Sequence, residues 1–323
     1  MISIVIPVYN GEGTLGALLD SLEANNYKRR EIIVVDDGST DRTGEVASRY
    51  PVKLMSTGGR RGPAVGRNIG AKEAAGEVLV FLDADTVARP GLLNHIAQRF
   101  ENEPQLVAVV GYYDKVPMNP SGFSRYKALM VHYWFRNAGI MESFETCCGA
   151  IRREAFFKAG GFDESYIDAD VEDYEFGYRV MEQGPIQVDH QMIVGHNFPS
   201  FSKNFRNYYR RSKLWMSLFL SRRKFESTAT TPGEGVTRIM GVGAAGLLVL
   251  GLFWNILLYP GLFAFATYLY LLRHFLALLR AEEGVLFMLW GIGVHLCSSV
   301  AVVGGIAAAI VTRLMFAYNK TRR

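Results

Sequence analysis

Only three cysteines occur in 323 residues, and two of them, Cys147 and Cys148, are neighbours. No paired framework is available to staple the fold, and a reducing compartment is the expected setting. Charge is missing in blocks. Residues 163–175 carry seven carboxylates and no base, residues 203–224 carry eight Lys or Arg and no acid, and residues 239–272 carry no charge at all. The formal net charge of +4 therefore hides a segregated chain, which points to a charged domain followed by a membrane part. The amino terminus, MISIVIPVYNGE, lacks the basic start and long apolar core of a secretory signal and reads as a first strand. The glycine-rich stretch GGRRGPAVGRNIG has neither the Gly-Lys-Ser/Thr of a P-loop nor the spacing of a dinucleotide fingerprint. No internal repeat or low-complexity tract is present.

The first 111 residues alternate between buried strands and amphipathic helices. Apolar runs at 2–8, 31–35, 52–55, 78–82 and 106–111 read as strands. Helices are expected over 14–27, where Leu15, Leu18, Leu19 and Leu22 share a face, and over 43–50, from the glycine-rich loop to 75, and 91–100. This rhythm predicts an α/β domain with a mostly parallel sheet covered on both faces. Further on, helices are expected over 123–135 and 170–181, and a strand over 186–194 that ends at Gly195 and His196.

The run VLVFLDADT, residues 78–86, ends in Asp83 and Asp85. Ligands of open α/β sheets bind beyond the carboxyl ends of strands. Two oxygen ligands there suit Mg²⁺ or Mn²⁺ carrying phosphates, although paired aspartates in a solvated turn are the bland reading.

Six strings in order, ISIVIPVYN, VVDDGSTD, GPAVGRNIGA, FLDADT, GGFDE and VEDYEFGYR, resemble family 2 glycosyltransferases of the GT-A fold. The resemblance covers roughly residues 1–200. It implies a nucleotide-sugar donor site in which Pro7, Tyr9 and Glu12 line the nucleotide pocket and Asp36 and Asp37 grip the base, with a UDP-sugar favoured. It implies that Arg67 pairs with the diphosphate, that Asp85 binds the metal with Asp83 nearer the ribose or behind it, and that His196 completes the metal site. Gly149 corresponds to the close-approach glycine beside the donor sugar, and Gly161 to a tight turn under the acceptor. Asp173 corresponds to the base that deprotonates the acceptor hydroxyl in an inverting transfer, with Glu172 beside it and Asp163 and Asp170 as weaker alternatives. Each of these also has a structural reading: Asp36 and Asp37 as a turn and helix cap, Asp41 as a cap, Glu172 and Asp173 as an acidic first helical turn, Arg60 and Arg61 as solvated side chains. Cys148 is not expected to be a nucleophile.

After residue 198 the chain reads FSKNFRNYYRRSKLWMSLFL, a basic-aromatic segment expected to lie on anionic lipid. Spans are expected over 239–259, 262–279 with Pro260-Gly261 as the turn, and 285–312, two or three in all. The division is thus 1–198, 199–235 and 236–323. The basic cluster before the first span places the main domain in the cytoplasm, whereas three spans put the tail bases Lys320, Arg322 and Arg323 outside. Processive members of the family carry Gln-x-x-Arg-Trp after the base; here NYYRRSKLW offers Arg210, Arg211 and Trp215 for a diphosphate or lipid phosphate, without that motif. The expected activity is inverting, metal-dependent transfer to a lipid or lipid-linked acceptor in cell-envelope glycan synthesis at the cell membrane, with no nucleic acid involved. A polyprenyl-phosphate sugar synthase, a processive synthase, a nucleotidyltransferase and a membrane-anchored nucleotide-sugar-binding protein are the rivals.

Overall fold

The computed structural model describes residues 1–168, 170–223, 225 and 228–321, the last six by backbone alone, so Arg322 and Arg323 lie outside the described residues. The chain divides into two compact units, Met1–Pro120 with Trp134–Phe198, and Ser121–Tyr133 with the chain from Pro199 onward.

The first unit opens with β1 (Ile2–Val8), α1 (Leu15–Ala24), β2 (Arg30–Asp36), α2 (Thr43–Ala47), β3 (Lys53–Ser56), α3 (Pro63–Glu73) and β4 (Val78–Leu82). It continues through β5 (Thr86–Ala88), α4 (Leu92–Asn102) and β6 (Ala108–Tyr113). After α5 (Gly122–Phe135), most of which belongs to the other unit, come β7 (Ile140–Met141), β8 (Cys148–Arg152), α6 (Arg153–Lys158), α7 (Glu172–Met181) and β9 (Ile186–His196). One sheet results, in the order β3-β2-β1-β4-β8-β6-β9-β5, with β7 on β9.

All seven residues of β1 are buried because β2 and β4 flank it in parallel and helices cover both faces, so its sequence is apolar throughout and does not alternate. α3 comes close to β1 because it presents glycines: a Cβ on Gly66 would stand 3.0 Å from the Pro7 ring. The expected parallel order holds from β3 to β4. Beyond it, β8 inserts antiparallel between β4 and β6, so the sheet as a whole is mixed. The short strands β5, β7 and β8 carry too few residues for a periodic signal. Since β1, β2 and β4 are parallel, Pro7 to Asn10, Asp36-Asp37 and Asp83 to Asp85 follow their carboxyl ends along one rim.

Under that rim lies a cluster of rings. Phe162 and Phe176 approach to 4.3 Å, and Phe81 meets Phe144 edge-on at 5.9 Å and Phe156 at 5.4 Å. Each such pair adds about 0.5–1.5 kcal/mol beyond area burial. The cluster fixes the end of β4, the loop after Gly161 and the start of α7 to one another.

The second unit contains α5, α8 (Phe201–Arg222), α9 (Pro232–Gly251), a 3₁₀ turn at Asn255–Leu257, α10 (Leu258–Glu283) and α11 (Val285–Thr321). Pro232–Gly251, Asn255–Glu283 and Val285–Met315 are long and apolar enough to cross a membrane. The first break falls earlier than expected, before Pro260 and not at it. Pro260 sits in the first turn of α10, where its missing N–H removes no helical bond. The interior of the unit holds close contacts at small residues: a Cβ on Gly241 would lie 2.7 Å from the Tyr268 ring. The basic helix α8 packs on α11, where Gly304 and Gly305 make room for Tyr209. It is therefore a packed helix as well as an amphipathic one.

Candidate active site

At the ends of β1 and β2 lies a cleft of about 200 Å³ lined by Pro7, Val8, Tyr9, Asp37, Arg60, Pro63, Ile167 and Asp168. Asp37 is buried, and its carboxylate accepts bonds from Arg61 N and Gly62 N, each at 2.8 Å, and from the Thr57 hydroxyl at 2.9 Å. A carboxylate accepts about four donors, so these three hold it rigidly and leave room for one more. Asp36 caps its own turn, accepting Ser39 N at 2.8 Å. Glu12 faces the neighbouring loop, where it accepts Arg42 N at 3.0 Å, and Asp41 caps the start of α2 through Thr43 N at 3.0 Å.

Tyr9 exposes its ring at the cleft, and the Arg60 guanidinium lies over it at 4.6 Å. Arg60 also donates to Asp168 at 2.8 Å, and Arg61 stands 3.8 Å from Glu164. These arginines are not merely solvated: they tie the glycine-rich loop to residues 164–168. Sequence alone had no way to pair them, because the partners lie about a hundred residues apart.

The end of β4 is organised around one buried cation. Arg67, 3 % exposed, donates to Asp83 at 3.0 Å and to Glu172 at 3.1 Å. Burial works against the guanidinium charge, but the two carboxylates outweigh it and hold its pKa above the ordinary arginine value. Burial likewise pushes Asp83 above the usual carboxylate range; Arg67 pulls it back, and the charge of Asp85 adds to the rise. Glu172 spends its other oxygen on Asp170 N at 2.8 Å. Glu172 is thus internal, Asp83 is part-exposed with its carboxylate held by Arg67, and Asp85 is 46 % exposed at the opening.

His196 meets Asp85 there. β5 pairs antiparallel with β9, opposing Thr86 to His196, and the imidazole Nε2 stands 3.3 Å from Asp85 Oδ2. Tyr113 stacks on the buried imidazole at 4.1 Å and Phe198 abuts its edge at 4.6 Å, which fixes the ring plane. Tyr113 went unnoticed in the sequence, where nothing distinguishes it from the core tyrosine beside it. Two ligands at about 2.1 Å from one ion and at a right angle stand about 3 Å apart, so this spacing fits a shared Mn²⁺ or Mg²⁺. Among the described residues no three His, Cys, Asp or Glu side chains cluster for a metal.

Asp173 is buried at the start of α7 and accepts its neighbour Tyr174 N at 2.9 Å. The adjacent Glu172 faces Arg67, so the two acids are separated in task by one helical step. Asp163 caps Ser165 N at 2.9 Å. Gly161 has φ +73°, and its missing side chain leaves space for the Asn68 amide, which brackets Phe162 through 2.8 and 2.9 Å bonds. Gly149 lies inside β8, paired with Phe81 and Val110, where a Cβ would stand 2.7 Å from the Phe144 ring. Packing accounts for that glycine. Burial raises the Cys148 thiol to about 12, which leaves no thiolate at neutral pH. Arg210, Arg211 and Trp215 lie on α8 of the second unit, where Trp215 stacks on Phe219 at 5.4 Å.

Carboxylates along the rim of parallel strand ends stand where ligands of open α/β sheets bind. Residues 3–160 match the family model described as Glycosyl transferase family 2. Residues 3–160 thus form a domain of this family. An uncharacterized glycosyltransferase of Haemophilus influenzae is 29 % identical over 195 residues, covering 57 % of this chain and 63 % of the relative. Glycosyltransferase GlyG of Streptococcus pneumoniae is 29 % identical over 119 residues, 35 % of this chain and 40 % of that protein. The chain thus spans less than two thirds of the length of these curated relatives. In fold, it is similar to the mannosyltransferase PcManGT of Pyrobaculum calidifontis, solved with GDP-Man and Mn²⁺, at a TM-score of 0.59 and 18 % identity, covering 96 % of this chain and 86 % of the other. S. aureus TarS residues 1–349, solved with UDP-GlcNAc, gives a TM-score of 0.50 at 17 % identity, covering 93 % and 90 %.

Proposed function

We propose that this protein transfers a sugar, with inversion, from a nucleotide-sugar (a UDP-sugar favoured) to a lipid or lipid-linked acceptor in cell-envelope glycan synthesis. The reading places it at the cytoplasmic face of the cell membrane. The observation that carries the reading is the meeting of Asp85 and His196 at 3.3 Å beside the Asp83–Arg67–Glu172 network.

On this reading Tyr9 stacks the base and the remaining acceptor capacity of Asp37 takes a base N–H, with Pro7 as the wall and Glu12 and Asp36 fixing the loops around it. Asp85 and His196 would hold Mn²⁺ or Mg²⁺, which supplies neutralisation of the charge that develops on the departing diphosphate. Arg67 keeps Asp83 in place behind Asp85, and Gly161 shapes the turn beneath the acceptor. Asp173 takes the proton of the acceptor hydroxyl as its oxygen bonds to the anomeric carbon and the bond to the diphosphate breaks. Charges that stay where they are while the reaction charge shifts are the most effective stabilisers, and the ring cluster under the rim gives them that rigidity. The three apolar helices support the membrane reading, and a membrane-bound acceptor is met at raised effective concentration.

The test is nucleoside diphosphate release by the full chain in nanodiscs against a panel of nucleotide-sugars, with Mn²⁺ or Mg²⁺ and membrane lipid extract. Release that needs one sugar, the metal, Asp85 and Asp173 is expected. Donor binding without release in the presence of extract would favour a binding protein instead.

A further inference from the structure

A neutral imidazole carries one N–H, so a ring nitrogen that binds a divalent ion leaves the proton on the other. In metal sites that second N–H ordinarily reaches a carboxylate, a carbonyl or water, and this outer bond aims the ring. His196 departs from the pattern. Its Nε2 stands 3.3 Å from Asp85, but its Nδ1 is buried with no partner among the described residues. No hydrogen bond among these residues holds the imidazole from behind, and its aim has to come from packing.

The packing suits that task. Tyr113 stacks on the imidazole at 4.1 Å between ring centres with 27° between the planes, and Phe198 meets it edge-on at 4.6 Å. The two clamping rings also touch each other, at 5.5 Å. Tyr113 is anchored at its far end by a hydrogen bond between its hydroxyl and the buried Cys147 thiol. Phe198 is pinned through its backbone: the Asn119 amide donates to Phe198 O at 2.7 Å and accepts Phe198 N–H at 2.9 Å. Asp114 N donates to Val194 O at 2.9 Å and Met118 N to His196 O at 3.1 Å. Residues 114–119 thereby brace the backbone before, at and after His196.

We propose that Tyr113 and Phe198 are positioning residues: their clamp aims His196 Nε2 at the metal site in place of the missing outer hydrogen bond, and so sets the affinity for the ion. Both act through His196, and neither is a ligand itself. An imidazole free to turn about its side-chain bonds loses that freedom at each binding event, and the clamp removes the loss beforehand. The inference rests on the reading that Asp85 and His196 hold Mn²⁺ or Mg²⁺.

The experiment titrates Mn²⁺ alone into the full chain in detergent and reads the free ion by its electron paramagnetic resonance signal, with a melting curve for every variant. Tyr113→Leu should weaken Mn²⁺ binding about tenfold, the lower end of what loss of an outer partner costs. Tyr113→Phe keeps the stacked ring and should retain most of the affinity. Phe198→Leu leaves the Asn119 bonds in place and should weaken binding several-fold; where Tyr113→Leu fails to fold, it replaces that variant in the comparison. The deciding chain carries two changes. In a His196→Ala background Tyr113→Leu should alter nothing further, because its effect passes through the imidazole. A further loss in that background, or wild-type affinity in Tyr113→Leu while His196→Ala binds weakly, would overturn the proposal. Unchanged binding in His196→Ala would instead sink the reading of the metal site, and the clamp with it. None of these readouts depends on glycosyl transfer.

Discussion

The two units each bury an arginine, and they treat it differently. Arg67 in the first unit is 3 % exposed and held by two carboxylates at 3.0 and 3.1 Å. Arg238 in the second is 5 % exposed and has one carboxylate at 3.7 Å. Removing a charge from water is offset only by close, well-aligned partners. In the first unit the chain supplies them, and the cation becomes part of the scaffold that positions Asp83 and Glu172. In the second the carboxylate stands too far off to hold the guanidinium by a hydrogen bond. A buried charge paired at hydrogen-bond distance fixes geometry, and a loosely paired one does so less.

The comparison is sharpened most by the neighbour of each acid that Arg67 holds. Asp173→Asn should lower turnover about 10²–10⁴-fold, the range for loss of a general base. Asp85→Ala should lower it about 10²–10³-fold, as for one lost electrostatic stabiliser. Asp85→Ala should leave the thermal midpoint nearly unchanged, and nucleoside diphosphate release with parallel melting curves checks both. The converse is expected of Arg67→Met, which strands Asp83 and Glu172 and should cost about 3–5 kcal/mol of stability, read by denaturant unfolding. Arg238→Met should cost clearly less than Arg67→Met; equal losses would break the comparison.

Smaller effects separate binding from fold. Tyr9→Ala should weaken nucleotide affinity by about 1–3 kcal/mol, the value of one base on an aromatic ring, with calorimetry of nucleoside diphosphate binding as the measurement. Gly161→Ala meets a φ of +73° and the Asn68 amide oxygen at 2.7 Å, and should destabilise by about 1–3 kcal/mol. The smallest effect concerns acid. Burial pushes Asp189 up, but Gln191 N–H, His95 and Arg99 outweigh it and hold the carboxyl below its ordinary value. With the folded pKa below the unfolded one, its stabilisation is complete above about pH 3.9 and fades as pH falls through the folded value. Asp189→Asn should flatten that limb of the stability–pH curve.

The run 78–82 and the alternation before it were legible because apolar period and length follow directly from residue order. β8 was not, since CGAIR is a five-residue strand whose place between β4 and β6 depends on partners distant in the chain. The end of the first apolar span was misplaced because Pro260 looks like a turn until the helix that begins at Leu258 is seen. Within the site, Asp85, His196, Arg67 and the Glu172-Asp173 pair were all visible as residue types. Which of them Arg67 holds was not, because adjacent side chains on a strand end or helix point apart and the arginine is distant in the chain.

By itself, the sequence determined an α/β domain whose short motifs resemble family 2 glycosyltransferases, and apolar helices after it, because hydrophobic period and short motifs are local properties. Only the tertiary structure decided which acid of each pair Arg67 holds, and that Arg60 and Arg61 reach residues 164–168. Those outcomes depend on which distant residues come within hydrogen-bond reach, and no local pattern carries that distance.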